Sequence, residues 1–272
     1  MPSWTVDAPK RLDFDDVTAL NVRLMAGSVA VLASDDRPSM VVTELKGRPL
    51  EVSYEDGELT VSYESLSWDG LLGFLKPKHS SVAVTITVPA DCPIQLGVLS
   101  ASAIVSGLRS GAAVKGMSGD VTLDGVTGNV EAETMSGEIA ARDIDGEVRF
   151  KSMSGGLVLA DGWLDRLEAN TMSGVIAADV TLRAGGDVHV STMSGDVTLR
   201  LPAGSDAEVR LQSTSGAVRS EFESLRSVKA PASHTVSGNV GAGTGRVSVS
   251  TMSGSVTLLR RLRREGKESE TR

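Results

Sequence analysis

Acidic side chains that follow repeated Ser-Gly pairs are the first candidates for chemistry. Paired carboxylates on one protein face can hydrolyse glycosidic bonds. The residues in this position are Asp120, Glu138, Gly156, Val175, Asp196, Ala217, Asn239 and Ser255. Only Asp120 and Glu138 are acidic in neighbouring units, and aromatic residues for stacking on sugars make up only 3% of the chain. We therefore expect a solvated edge rather than a glycosidase site.

The remaining candidates for metal binding or nucleophilic catalysis are isolated in sequence. His79, His189 and His234 have no second histidine nearby, so they do not form a metal-binding pattern. Residues 185–187, Gly-Gly-Asp, resemble part of a calcium-binding nonapeptide repeat, but neighbouring units lack that pattern. Cys92 has no nearby histidine to activate it. We predict that the chain is not an enzyme and binds no cofactor or metal.

The tripeptide Met-Ser-Gly recurs six times and creates one unusual column of side chains. Its methionines are Met117, Met135, Met153, Met172, Met193 and Met252. Alternation from an inward Thr134 would place Met135 outward, and exposed, flexible thioethers would form an adaptable interaction surface. Alternatively, the chain bends at this corner and each methionine packs into the core or beneath another segment. We expect the second arrangement.

The spacing of these tripeptides predicts the fold. Variants at 214–216 and 236–238 precede the last copy, and successive steps are 18, 18, 19, 21, 21, 22 and 16 residues. Such recurrence is typical of repeats that stack on their neighbours. Within a unit, Val121 and Leu123 alternate with polar residues, which indicates strands. Antiparallel hairpins would also fit short strands, but the near-constant period predicts an all-β, parallel β-solenoid, for which we expect a right-handed coil.

A column of hydroxyl side chains should accompany the stacked strands. Its members precede the Ser-Gly corners and are Thr134, Ser152, Thr171, Thr192, Ser213 and Thr251. Inward hydroxyls can form hydrogen bonds along such a column. Glycine suits the tight corner because it tolerates close backbone approach. Since aromatic residues are scarce, the core should consist of Val, Leu, Ile and Ala.

The segments flanking the repeats follow other patterns. Residues 1–98 are β-rich, with a hairpin over 50–63 about an Asp-Gly turn and a strand over 82–88 that ends at proline. We expect this part to be continuous with the repeats at 99–258, because no linker separates them. Residues 67–80 form an irregular apolar segment, interpreted as a lid over the sheet or alternatively as a partner-docking loop.

The last segment, 259–272, is basic and could be helical. A solenoid exposes unpaired strands at its ends, so we expect a cap or a solvated tail here. Alternatively, Arg260, Arg261, Arg263 and Arg264 could contact an anionic membrane surface.

Charge and composition restrict the partners and the compartment. The net charge of −8 argues against nucleic-acid binding, which usually requires a basic face. A single cysteine precludes an internal disulfide and fits a reducing compartment. The chain shows no signal-peptide pattern at its start and no apolar run long enough to span a membrane. We expect a cytoplasmic protein, with peripheral membrane contact as the alternative.

These motifs together resemble a bacterial family of β-strand-repeat proteins, DUF4097, which carries an adhesin label. The hairpin-containing first part, the Val-Pro-Ala at 88–90 and the units at 192–199 and 251–258 carry the resemblance. It implies a parallel β-solenoid and supplies no catalytic residues.

Three functional hypotheses follow. We expect a non-enzymatic scaffold or interaction module that presents a rigid face to a protein partner or to another copy of itself, without a small-molecule substrate. The alternatives are a carbohydrate-binding or carbohydrate-active protein and a peripheral membrane or envelope protein.

Overall fold

The computed structural model describes residues 2–63, 80–230 and 233–262, which form strands and no α-helix. The strands are β1 Ser3–Val6, β2 Lys10–Asp13, β3 Ala19–Ala33, β4 Ser39–Lys46, β5 Leu50–Glu55, β6 Glu58–Tyr63, β7 Ser81–Val88, β8 Ile94–Ser106, β9 Ala112–Gly116, β10 Val121–Thr134, β11 Ile139–Ser152, β12 Leu157–Thr171, β13 Ile176–Thr192, β14 Val197–Pro202, β15 Ala207–Ser213, β16 Val218–Ser220, β17 Arg226–Ala230, β18 Ser233–Val240, β19 Gly245–Thr251 and β20 Val256–Arg261. The predicted segment at 67–80 lies, except for Ser80, outside the described residues.

The repeats form the predicted parallel β-solenoid. Each of the strands β10 to β13 turns a corner midway and contributes to two faces, with parallel pairing between successive coils. The first halves, such as 121–124, build what we call the small-residue face, together with β14 and β20. The second halves, such as 130–134, build the charged face, together with β9, β19 and β15. The hand of the coil stays a prediction.

Aliphatic side chains fill the space between the two faces, as the alternation predicts. The inward row of the small-residue face places Val121, Ile139 and Leu157 in register, and each is about 1% exposed. On the charged face, Val148 lies opposite Leu167, and the single aromatic ring of this row, Phe150, lies opposite Ala169. Burial of such rows supplies about 25 cal/mol for each square ångström of apolar surface.

Close backbone contact at the Ser-Gly corners sets the distance between coils. A Cβ atom added to Gly174 would overlap the carbonyl oxygen of Gly155 on the adjacent coil. The same clash with the neighbouring glycine carbonyl would occur at Gly137, Gly155, Gly195, Gly216 and Gly254. Because only glycine lacks a Cβ, no other residue fits this corner without moving the backbone.

The hydroxyl column lies inside the corner, as expected, but its main partners are glycines. The Thr171 hydroxyl donates to the carbonyl of Gly155 at 3.4 Å, and the Ser213 hydroxyl donates to that of Gly254 at 2.8 Å. Ser152 instead accepts the Gly155 amide at 2.6 Å. The column therefore supports the glycine corners rather than forming a chain of hydroxyls.

The last repeat does not lie at the end of the stack. Strand β19 pairs with β13 on one side and β15 on the other, and β20 lies between β14 and β16. The chain thus skips one level after β14 and returns to fill it. The antiparallel strands β17 and β18 follow β15 at this end.

Two expectations for this region were wrong. Residues 236–238 form no Ser-Gly corner, because they lie within β18, antiparallel to β15. The helical conformation that the segment from 259 onward could adopt does not form at 259–261, because these residues continue β20. In both cases pairing with distant strands decides the local conformation.

The N-terminal part uses the same intercalation. Strand β3 pairs with β8 on one side and with β6 and β7 on the other. Strands β5 and β6 form the predicted hairpin, and β7 ends at the predicted proline. The rings of Trp4, Phe14 and Tyr54 pack together at this end. The domain boundary at 98/99 stays a prediction.

A buried carboxylate on β13 binds β20 across the intervening strand β14. The side chain of Asp179 is 10% exposed and binds Arg261 at 2.8 Å. It also accepts a hydrogen bond from Nε of Arg200 at 2.8 Å, and this contact raises the pKa of the guanidinium. Arg261 reaches the hydroxyl of Thr181 as well, at 2.5 Å. The two bonds from Arg261 join residues about 80 positions apart.

We expect the substitution Gly174→Ala to lower the free energy of unfolding by about 2–3 kcal/mol, because the added methyl group displaces the neighbouring coil. Urea unfolding followed by circular dichroism measures this change. Gly204→Ala is the control, because a Cβ at Gly204 meets nothing within 4 Å. It should alter stability by about 0.5 kcal/mol at most. Equal effects of the two substitutions would contradict the close-contact explanation.

The substitution Asp179→Ala should destabilise the chain by about 2 kcal/mol, since it leaves two guanidinium groups without their shared acceptor. Hydrogen exchange should accelerate first in β20. Asp165→Ala is the matched control, because Asp165 pairs with Arg183 at an exposed corner. If exchange in β20 is unchanged in Asp179→Ala, these bonds do not hold the strand.

Candidate functional site

The six methionines form a continuous exposed stripe, which we call the methionine ladder. Met117 is 43% exposed, Met135 48%, Met153, Met172 and Met193 51% each, and Met252 57%. Intercalation of the last repeat places Met252 next to Met193, since the amide of Ser253 donates to the carbonyl of Met193 at 3.0 Å. All six rungs are therefore neighbours in space, although two variant tripeptides separate the last two in sequence.

The expectation that these methionines are buried was wrong. Thr134 and its equivalents point inward, and the next residue in each coil points outward, as strict strand alternation requires. Backbone hydrogen bonds hold this geometry: the amide of Met135 donates to Gly116 at 3.2 Å, and that of Ser136 to Met117 at 2.8 Å. With its backbone bonded to the neighbouring coil, the corner does not bend to bury the side chain.

The fold itself does not require methionine at this position. Thr214 occupies the next rung beyond Met252, where the amide of Ser215 donates to the Met252 carbonyl at 3.1 Å. Leu99 occupies the rung before Met117. Since Thr214 precedes the same Ser-Gly corner and Leu99 occupies an equivalent rung, the six consecutive thioethers reflect something other than backbone geometry.

The small-residue face lies beside the ladder. Its outward row, which runs in register across the coils, contains Ile104, Thr122, Ala140, Val158, Ala177, Thr198 and Thr257. Val175, which directly follows a Ser-Gly corner, is 58% exposed, and Val158 is 42% exposed. Sequence reasoning missed this row, although apolar residues at outward strand positions were visible in the alternation.

The charged face has the opposite character. Arg149 binds Glu131 at 2.8 Å and Glu168 at 3.4 Å, and these hydrogen bonds, chiefly the one to Glu131, raise the pKa of the guanidinium. Lys115 pairs with Glu133 at 3.3 Å. Arg149, Glu131 and Glu168 border a shallow groove of about 370 Å³. Three carboxylates line the groove, and Arg149 binds Glu131 and Glu168, which leaves Glu147 alone without an ion-pair partner among the described residues. The groove therefore lacks the two free carboxyl groups that glycosidases use.

Two of the acidic corner residues named in the sequence, Asp120 and Asp196, bind the backbone of the adjacent coil, whereas the side chain of Glu138 is exposed. Asp120 accepts a hydrogen bond from the amide of Glu138 at 3.0 Å. Asp196 does the same for Ser255 at 2.7 Å, another contact that intercalation creates. Both carboxylates satisfy an amide of the adjacent coil, so the structure gives them a structural role.

The candidate nucleophiles are not activated. Cys92 is buried, and desolvation, together with the charge of Asp16, raises the pKa of its thiol to about 11. The thiol therefore stays protonated near neutral pH, where a nucleophile must be a thiolate.

A serine–histidine contact occurs between β17 and β18 but has the wrong polarity for catalysis. Nε2 of His234 lies 3.0 Å from the hydroxyl of Ser227. Nδ1 of the same ring accepts the amide of Val218 at 3.3 Å, so the proton of the neutral ring resides on Nε2. The ring thus donates to Ser227 and cannot accept its proton. His189 lies exposed on the charged face, and His79 lies outside the described residues.

Conventional metal and membrane features are missing from the residues that the structure describes. No group of three or more His, Cys, Asp or Glu side chains there could hold a metal ion. Within the same ranges, no helix has the length and apolarity needed to cross a bilayer. Arg261 is engaged by Asp179, whereas Arg260 is exposed. Arg263 and Arg264 lie outside the described residues, so membrane contact stays a prediction.

Comparison with known proteins settles the family. The profile of the Toastrack DUF4097 family matches residues 17–259. The chain belongs to this family. No curated protein matches the chain.

Several solved structures are similar to this Toastrack chain at low identity. A "putative lipid binding protein" from Parabacteroides distasonis is 18% identical, with 93% of this chain and 97% of that chain covered and a TM-score of 0.47. A "putative adhesin" from Bacteroides fragilis is 13% identical, with 95% and 97% covered and a TM-score of 0.41. A "putative cell adhesion protein" from Clostridium sporogenes is 12% identical, with 93% and 100% covered and a TM-score of 0.29.

We expect dilute hydrogen peroxide to oxidise all six ladder methionines of this Toastrack chain well before Met40, which is fully buried. Peptide mass spectrometry over a time course measures the rates. If Met40 and the ladder methionines are oxidised at the same rate after unfolding in urea, burial explains the slower oxidation of Met40 in the folded chain. Protection of the ladder comparable to that of Met40 would contradict the exposed arrangement.

Proposed function

We propose that the chain is a non-enzymatic, adhesin-like interaction module whose methionine ladder docks a protein partner or a second copy of the chain. The observation that carries this proposal is the ladder itself: six neighbouring thioethers, each about half exposed, on a molecule whose other large aliphatic side chains are mostly buried. Flexible, polarisable methionine side chains suit adaptable recognition surfaces.

The scaffold beneath the ladder favours binding. Six rungs at the usual strand spacing extend over about 24 Å, a length suited to a protein interface. Hydrogen bonds to both neighbouring coils fix the backbone at each inner rung, so binding immobilises only side chains. The exposed Val158 and Val175 on the adjoining small-residue face extend the apolar surface.

The other hypotheses have less support. A carbohydrate-active site would need two free carboxylates, but Arg149 binds two of the three beside the groove and leaves only Glu147. A membrane site in the basic segment would lack Arg261, which Asp179 holds. A cytoplasmic location and the absence of a small-molecule substrate remain part of the proposal.

Replacing Met135, Met153 and Met172 together by Gln should abolish docking, because the amides are polar and remain hydrated. The matched control replaces Asn129, Glu147 and Arg166 by Gln, three residues in register on the charged face of the same coils. Light scattering over a concentration series measures self-association. Quantitative mass spectrometry of proteins retained from a cell extract measures partner binding.

We expect the ladder variant to lose at least tenfold in either measurement and the control to match the wild type. If the control variant alone loses binding, the charged face is the docking surface and the proposal is wrong. A wild-type chain that neither self-associates nor retains a partner would also contradict it.

A further inference from the structure

We propose that the methionine ladder binds soft monovalent metal ions through thioethers of adjacent rungs. Cu(I) is the biological ion of this kind. Metal binding is a second role for the side chains that the docking proposal uses, and neither role depends on the other. It uses a donor that the usual clusters of His, Cys, Asp and Glu do not contain.

The donor chemistry selects the ion. Thioether sulfur is a soft ligand that favours Cu(I), whereas Mg²⁺ and Ca²⁺ require oxygen ligands and Zn²⁺ takes thiolate, imidazole or carboxylate groups. The ladder supplies six sulfur atoms in one row. Its serine neighbours, such as Ser136, direct hydroxyls to backbone carbonyls and do not compete strongly for a soft ion.

The spacing of the rungs matches a two-coordinate ion. Adjacent strands lie about 4.8 Å apart, so the thioethers of adjacent rungs are close enough to share one ion. Backbone bonds such as those from Ser154 to Met135 at 2.8 Å and from Ser173 to Met153 at 2.9 Å hold the rungs at this separation. Binding therefore requires only side-chain rotation, and a third thioether from the next rung can join.

Charge and access also favour a cation. The chain carries a net charge of −8, and the exposed residues Asp120, Glu138 and Asp196 follow three ladder methionines at the same corner. Such a field raises the local concentration of cations. Each ladder side chain is at least 43% exposed, so the ion reaches the sulfurs without opening the fold.

Methyl NMR of methionine labelled with ¹³C tests the proposal in a Cys92→Ala background, which removes the only thiol. Silver nitrate in chloride-free buffer serves as the first probe, because Ag(I) is soft and stable in air. The second probe is Cu(I), titrated without oxygen against the chelator bicinchoninate. We expect the methyl signals of the ladder to shift with both ions and that of the buried Met40 to remain unchanged.

Replacing Met135, Met153 and Met172 together by Leu separates metal binding from docking. Leucine preserves apolar volume but removes sulfur, so this variant should fold normally and lose at least tenfold in Cu(I) affinity. Met25→Leu, a single change away from the ladder, should bind as the background does. Folding of every variant is checked by thermal unfolding.

The outcomes are distinct. Unshifted ladder signals, or a leucine variant that binds Cu(I) as tightly as the background, would overturn the metal site and leave docking intact. Loss of Cu(I) binding with partner binding retained would support the metal site independently. If partner binding fails in the glutamine variant but persists in the leucine variant, docking depends on the apolar character of the ladder and not on its sulfur atoms.

Discussion

The contact between the glycine corner of one coil and the glycine carbonyl of the next is the constraint on which the rest of the structure depends. At Gly155, Gly174 and Gly195 the neighbouring carbonyl oxygen occupies the space that a Cβ would need. This contact fixes the distance and the register between coils at one point in every turn. Once the register is fixed there, side chains at equivalent positions must stack in columns.

The position of each column relative to the corner determines whether its side chains are buried or exposed. The residue two positions before the serine, such as Thr134, points inward and, in several coils, binds the glycine carbonyl. The next residue, such as Met135, points outward. A glycine requirement inside the molecule thus produces a continuous row of thioethers on its surface. The proposed interaction site follows from the stacking geometry, and methionine at that position supplies its flexible, polarisable thioethers.

The two faces of the solenoid differ in polarity. Ion pairs such as Arg149–Glu131 cross from coil to coil on the charged face and keep it hydrated. On the small-residue face the outward row, which contains Val158 and Thr122, carries no charge. This asymmetry directs apolar contacts to one side of the molecule. The intercalated strands at both ends leave the repeats between them paired on each side, which keeps the ladder rigid.

The sequence by itself determined the strands, the aliphatic core, the parallel stacking and the family. The strands and the core follow from the two-residue alternation, and the stacking follows from the repeat length; both patterns are visible within one repeat. The hairpin over β5 and β6 was equally local. Tertiary structure alone decided the order of the coils, the position of Met252 beside Met193, and the bonds between Asp179 and Arg261. The repeats are so alike that any two coils could pair in the same register. Which ones do pair therefore depends on connections and long-range contacts that no single repeat encodes.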